Sequence, residues 1–360
     1  PRGNDWNDIK MYERYDVTRK INTQYWPESM FSGMTGQNPY WIAYRNLREN
    51  DKDRYMLSAS LNYKILDWLS VSGRVRMDNS TTDYTKKLYA TSNKTLTEES
   101  NNGLYGIFKT TDKQTYADIM VNVNKNFGET FSLSANIGAS YSDMKQDVFQ
   151  NEGPISNSGI PNVFNVFQLD DVKTRRYQYG YHDQTQSIFA TAQLGWQSKL
   201  YLDVTGRIDW SSALAWTETK SVAYPSVGLS AILTDLLPIR SDVLTFLKLR
   251  GSYSEVGNAP TRYIAYQTHP YQSGTPSTTS TYPNSDIKPE RTKAWEVGLQ
   301  SRFWGDKLAL NVSLYKTSTF NQLFNPSLPS SSGYSSIYIN GGQVDNKGIE
   351  ASLSLSQALG

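Results

Sequence analysis

At 360 residues the chain has room for two ordinary domains or one large sheet-built one, and its net charge of +2 carries no basic footprint for nucleic acid. Cysteine is absent, which excludes a disulfide framework and thiolate metal sites. Aromatic residues make up 13% of the chain and Ser, Thr and Asn are plentiful, which favours many strands joined by polar loops. No apolar run reaches the ~18 residues of a membrane-spanning helix. The mean hydropathy of −0.57 leaves a membrane barrel open, because only every second strand residue of a barrel meets lipid. The sequence begins at Pro1 without Met, signal peptide or cleavage site and stops at Gly360 just after a strand-like run, so the chain is expected to be an internal piece of a longer polypeptide.

Residues 1–50 are read as largely irregular. From Arg54 the pattern changes. Tyr55, Leu57, Ala59, Leu61 and Tyr63 alternate with Met56, Ser58, Ser60 and Asn62, and Leu69 to Asp78 repeats the alternation. Successive side chains of a strand point to opposite faces, so each such run has one oily and one wet side. Further runs follow at 114–127 and 131–141, and then the hairpin QTQSIFATAQLGWQSKLYLDVTGRIDWSS (184–212). There Leu200, Leu202, Val204, Gly206, Ile208 and Trp210 oppose Tyr201, Asp203, Thr205, Arg207 and Asp209. Strands near 226–233, 246–254, 295–303, 308–315 and from 349 bring the expected total to about twelve, most of roughly 9–11 residues, the length a tilted strand needs to cross a bilayer.

The links alternate between short (65–68, 128–129, 197–199, 305–306) and long, with the long loops expected near 79–103, 143–183, 211–222, 257–292 and 317–346. Outer-membrane barrels place tight turns on the periplasmic side and long loops outside. Aromatic pairs flank the short links: Tyr63 and Trp68, Phe127 and Phe131, Trp196 and Tyr201, Phe303 and Trp304. Rings with a polar tip suit the headgroup zone. Alternation alone would equally suit a soluble sandwich with its oily face inward. Loop asymmetry, aromatic strand ends and faces rich in Ser, Asn, Arg and Asp favour an antiparallel transmembrane β-barrel with a solvated interior.

No catalytic constellation is present, and an enzyme is not expected. His182 and His269 read as surface loop residues, not metal ligands. Asp170 and Asp171 are adjacent on extended chain and point apart, which does not serve paired-carboxylate chemistry. Ser142 to Lys145 matches S-x-x-K without its partner motifs. No metal or cofactor is expected. The loops hold Trp216, Tyr263, Tyr266, Tyr271 and Tyr282 among hydroxyl and amide side chains, a composition suited to holding sugar rings, or equally to packing the loops on each other. Arg74, Arg76, Asp203, Arg207 and Asp209 lie on wet faces. They are candidates for lining a transport path or for pairing across the wall.

YLDVTGRIDWSSALA (201–215) closely resembles a signature segment of the SusC/RagA family of TonB-linked outer-membrane transporters. QNPYWIAYRNLRENDKDRYMLSASLNYKILDWLSVSGRVRMD (37–78), AYPSVGLSAILTD (223–235), LTFLKLRGSYSEVGN (244–258), IKPERTKAWEVGLQSRFWGDKLALNVSLYK (287–316) and NGGQVDNKGIEASLSL (340–355) resemble further family segments in family order. Ile208 and Ala215 depart from the residues common there, Asn and Pro. The resemblance implies a 22-strand barrel, of which this chain supplies about twelve strands, with the plug, the TonB-contacting segment and the terminal strands outside it. It also implies outer-membrane localisation among lipid and lipopolysaccharide, energy from the TonB-ExbB-ExbD complex, and a SusD-like surface lipoprotein with which a glycan or peptide is captured. The alternatives from the residues alone are a secreted or surface-displayed binding protein of the adhesin kind and, more remotely, a β-rich glycan-cleaving enzyme.

Overall fold

The computed structural model describes residues 10–25, 37–239, 241–272 and 274–356, so part of the stretch read as irregular, 1–9 and 26–36, lies outside the described residues. Near the start, β1 (Glu13–Asp16) and β2 (Ile21–Gln24) form a small hairpin, followed by the helix α1 (Pro39–Arg45). The long strands are β3 (Asn46–Leu66), β4 (Leu69–Tyr89), β5 (Gly103–Phe127), β6 (Phe131–Pro154), β7 (Arg175–Trp196), β8 (Leu200–Ser211), β9 (Val222–Ile232) and β10 (Leu244–Asn258). A short helix, α2 (Leu233–Leu236), follows β9. The two-residue strands β11 (Tyr271–Gln272), β12 (Thr275–Pro276) and β13 (Thr281–Tyr282) then lead to β14 (Glu290–Phe303) and β15 (Leu308–Phe324). The series ends with the short β16 (Ser336–Ile337) and β17 (Ile339–Leu355). The eleven long strands make one sheet in the order β17-β15-β14-β10-β9-β8-β7-β6-β5-β4-β3, an up-and-down meander in which long strands consecutive along the chain are neighbours.

The tight turns close as short hairpins must. In the three-residue link 197–199, Gln197 and Ser198 both take positive φ (49° and 57°) and the Lys199 amide donates to the Trp196 carbonyl (2.9 Å), a tight hairpin turn. Gly128 and Gly305 supply the same left-handed conformation at the β5–β6 and β14–β15 turns (φ 61° and 63°). Pro225 interrupts β9 at no cost to the ladder with β10, because that ladder ends at Ser226↔Ser254 and makes no demand on the missing N–H.

The chain divides into two compact units. Unit 2 comprises residues 58–76, 115–143 and 183–360, and on its long strands, as distinct from its loops, the usual burial order is reversed. Along β8 the apolar side chains Leu202, Val204, Ile208 and Trp210 are the exposed ones, Val204 at 46%. Their polar neighbours Asp203, Thr205, Arg207 and Asp209 are the more covered. The buried residues of this unit include Asp118, Ser140, Ser187 (3% exposed), Ser301 and Ser313. A water-soluble sandwich would bury the oily faces and expose the wet ones. An outer face that is apolar and an inner face that is polar belong to a sheet bathed in hydrocarbon.

Unit 1 comprises residues 1–57, 77–114 and 144–182. Its described core is small: Trp41, Leu88, Ala90, Leu104, Ile155 and Leu169 are buried. Asn38 caps α1, its side chain accepting from the Tyr40 amide. The Trp41 indole donates to Ser92 Oγ (2.8 Å), which donates to Asn46 Oδ1 (2.8 Å). Glu152 accepts from Lys86 (2.5 Å) and pairs with Arg175 (3.3 Å), which also meets Glu98 (2.6 Å).

Two expectations need correction. Among the described residues the sheet has eleven long strands, in keeping with the about twelve expected, but they run 11 to 25 residues, well beyond the expected 9–11. The loops shrink accordingly, to residues 90–102, 155–174, 212–221, 259–289 and 325–338, the last two still holding the short strands β11, β12, β13 and β16. The stretch 37–50, read as irregular, holds α1 and the start of β3, and residues 339–346, placed in the last long loop, already belong to β17. The cause is physical. Where a strand leaves the hydrocarbon both its faces are wet, so pairing continues while the apolar alternation that betrays it stops.

Two measurements test this description. Val204→Arg should weaken folding of the full-length protein into lipid vesicles by about 2–4 kcal/mol, read by urea titration, while Asp203→Asn on the opposite face should cost less than about 1 kcal/mol. Equal costs would reject the lipid-facing assignment. The second concerns Glu152, which stands 21 positions after the start of β6, where about ten residues suffice to cross a bilayer, so it lies outside the membrane-spanning segment. Burial pushes its carboxyl up, but hydrogen bonds and charge from Lys86 and then Arg175 outweigh this and hold it below the ordinary glutamate value. A depressed folded-state value stabilises above the unfolded one and loses that contribution as pH falls through it. The protection factors of the amides from Gly103 to Ile107, that is their exchange corrected for the intrinsic pH dependence, should therefore hold from neutral pH down to the ordinary glutamate range and fall below it. Glu152→Gln should remove this dependence and cost about 1–2 kcal/mol at neutral pH, because its partners are partly solvated.

Candidate functional site

Unit 2 holds both groups of residues marked out by the sequence. On the polar side of the sheet, Arg74 donates Nε and Nη2 to Asp118 Oδ2 (2.9 and 2.7 Å). Arg207 donates Nε to Asp209 Oδ1 (2.6 Å) and Nη2 to Ser187 Oγ (2.8 Å). Asp203 accepts from Gln193 Nε2 (2.7 Å). Arg76 is exposed on β4. Arg74, Arg207 and Asp209 thus pair with near neighbours along the sheet. Asp203 borders a recess of about 440 Å³ with Lys248, Arg250 and Glu296, charges of both signs that sequence inspection did not select. Arg250 lies across Gly298, reaching Glu296 (3.1 Å) and Ser313 (2.8 Å), and a Cβ at 298 would occupy the place of its side chain.

The loop aromatics separate. Trp216 and Tyr266 stack with ring centroids 4.6 Å apart and planes 26° apart, and remain 57% and 51% exposed. Tyr282 instead meets Tyr334 edge-on at 5.1 Å. Tyr263, at φ 65°, and Tyr271 are exposed and join neither pair among the described residues. The stacked pair rests on a firm base. Leu214 and Ile287 are fully buried beneath these loops, Thr217 donates Oγ1 to the Leu214 and Thr219 carbonyls, and the Glu218 amide reaches the Ser285 carbonyl (3.1 Å). Asn284 Nδ2 donates to the Tyr338 carbonyl (2.9 Å). Arg262 grips Asp183 through Nε and Nη2 (3.0 and 2.5 Å). This arrangement presents an exposed pair of stacked rings on loops tied to each other, which can hold a flat apolar ring face.

Unit 1 carries a further aromatic group that the sequence reading passed over. Tyr12, Tyr40 and Tyr44 lie 5.6 to 6.3 Å from one another with planes within 30°. The signal available was the spacing of Tyr40 and Tyr44, four apart on one helix face.

Comparison with known proteins agrees with this geometry. Residues 2–360 match the model of the family described as TonB dependent receptor-like, beta-barrel. TonB-dependent receptor P3 of Formosa agariphila is 25% identical over 329 residues, covering 88% of this chain and 32% of its own length. TonB-dependent receptor P26 of the same organism is 25% identical over 238 residues, covering 63% and 24%. The chain therefore spans about a third or less of these relatives. The structure titled as the RagAB peptide transporter superposes with a TM-score of 0.77 at 19% identity, covering 91% of this chain and 37% of that one. The ferric-catecholate import receptor Fiu of E. coli gives a TM-score of 0.53 at 12% identity, covering 86% and 46%. Both likenesses bear on fold alone. With a family match over nearly its whole length and an apolar outer face on its sheet, the chain belongs to the TonB-dependent receptor-like β-barrel family of the outer membrane, a family of receptors and transporters and not of enzymes.

Proposed function

We propose that this chain is the central part of the barrel of a SusC-type importer, which takes up oligosaccharides or peptides captured together with a SusD-like surface lipoprotein and draws its energy from the TonB-ExbB-ExbD complex through a segment outside this chain. The reversed burial in unit 2 carries the reading: a sheet with its oily face outward and paired Arg and Asp side chains on the other is built to enclose a wet passage through lipid. The family match and the RagAB-like fold support it. Trp216 and Tyr266 are the side chains we assign to the ligand, because they alone among the five selected aromatics present a stacked, exposed face on an anchored loop. Glycan remains the favoured ligand class from the residues around that face, and a peptide the second, favoured by the fold shared with a peptide transporter.

The test is calorimetric titration of glycan and peptide panels onto the full-length receptor with its co-purifying lipoprotein, alongside uptake in cells. Trp216→Ala should weaken binding of the preferred ligand about tenfold or more, and Tyr271→Ala by less than about twofold. Uptake should stop when the TonB-contacting segment is deleted. Continued uptake without that segment would sink the transport reading, and indifference to Trp216→Ala would sink the ligand assignment alone.

A further inference from the structure

The lipid-facing side of β10, β14, β15 and β17 in unit 2 keeps one order along its length. Val297 and Leu299 on β14, Leu314 on β15 and Ile349 on β17 form an exposed apolar band. Trp295 to Phe303 is nine residues, the length of one tilted crossing. A ring pair closes each end of that span. Phe303 meets Trp304 beside the tight turn (6.0 Å between centroids), and Trp295 meets Tyr253 of β10 on the loop side (4.3 Å). Such rings mark the level where hydrocarbon gives way to headgroups.

At and beyond the loop-side level the same face turns cationic. In the register of the sheet Tyr253, Trp295, Lys316 and Lys347 form one rung. Glu255, Lys293, Ser318 and Asp345 form the next on that face, and Arg291 stands in the one after. Glu255 is shared by Arg291 (2.6 Å) and Lys293 (3.7 Å), and Asp345 stands 4.0 Å from Lys316. Four cations thus share two carboxylates. Lys347 makes no ion pair among the described residues and lies directly across from Lys316. Like charges set opposite each other on a sheet repel, so this pair calls for an anion from outside these strands.

The position of the cluster identifies that anion. It lies on the lipid side, at the end of the sheet that carries the long loops 259–289 and 325–338, which is the outer end. The headgroups at that level belong to the outer leaflet, where lipopolysaccharide carries phosphate. Lys and Arg bind phosphate oxygens through short, charge-assisted hydrogen bonds. A protein partner would have to displace those headgroups to reach the wall.

We propose that Lys293, Lys316 and Lys347 hold a phosphate of one outer-leaflet lipopolysaccharide molecule, whose acyl chains then lie over Leu314 and Ile349. Arg291 is a positioning residue, since by neutralising Glu255 it leaves Lys293 available. Native mass spectrometry of the detergent-purified full-length protein tests this, with titrations of lipopolysaccharide, dephosphorylated lipopolysaccharide, phosphatidylglycerol and inorganic phosphate. Lys293→Gln/Lys347→Gln should weaken lipopolysaccharide binding at least about tenfold, and Lys293→Arg/Lys347→Arg should retain it. Lys199→Gln/Lys248→Gln removes the same charge away from this rim and should change binding by less than about twofold. The dephosphorylated lipid should bind wild type as weakly as the native lipid binds the Gln variant. The Gln variant should unfold at the wild-type temperature in lipopolysaccharide-free detergent, because it relieves the opposed lysines. Wild-type affinity in that variant would overturn the proposal. So would undiminished binding of the dephosphorylated lipid, which means acyl contact alone, or equally tight binding of phosphatidylglycerol or inorganic phosphate, which means a site for any phosphate.

Discussion

A backbone amide inside a bilayer has no water to bond, so each N–H and C=O of a spanning strand must be met by another strand. This constraint shapes unit 2. β8 is paired on one side with β7 from Trp196↔Leu200 to Thr185↔Ser211, and on the other with β9 from Leu200↔Ala231 to Asp209↔Val222. The two ladders cover the same stretch, and within it the side chains are free to sort by solvent alone. Lipid takes Leu202, Val204 and Ile208. The meander order follows from the same requirement, since a strand delivered by a tight turn to its predecessor's edge is satisfied as it forms.

The polar face meets a second demand: charges set on a wall must not be stranded. Arg74–Asp118, Arg207–Asp209 and Arg250–Glu296 each close over a short span of the sheet. Glycine makes room for this. Arg250 lies flat over Gly298 and Tyr315 over Gly348, so these side chains run along the wall instead of standing out from it. Paired and partly solvated, such groups contribute little net stability. What they provide is a wet surface that does not collapse on itself.

How much of this the sequence disclosed varies with the surroundings of each residue. Leu200 to Trp210 declared its strand because one face meets hydrocarbon, and hydrocarbon enforces period two. Residues 79–83 and 144–154 gave no such sign, since water touches both their faces and Ser, Thr, Lys and Gln serve either, yet they are strand. The stack of Trp216 on Tyr266 was legible only as composition. It depends on two loops distant in sequence being tied through Glu218 and Ser285, and no local pattern reports a tie of that kind. Phe167 and Val172 look in sequence like ordinary apolar residues that would turn inward, and only the Asx turns at Asn165 and Asp170 show that they do not.

The length of β4 to β7 beyond the bilayer therefore has a consequence of its own. A long loop anchored at the membrane surface would be free to fold its apolar side chains onto itself, and loop-closure entropy would rise only slowly with its length. Continuing the ladder outward shortens the loops to 90–102 and 155–174 and leaves too little chain for such a collapse. Apolar groups there must either find the small core of Leu88, Leu104 and Ile155 or stay in water. In the loop 155–174 the backbone at Phe167, Val172 and Lys173 is fixed in advance, its amides donating to Asn165 Oδ1 and Asp170 Oδ1. The constraint that makes the strands in lipid thus also fixes the surfaces that stand above it.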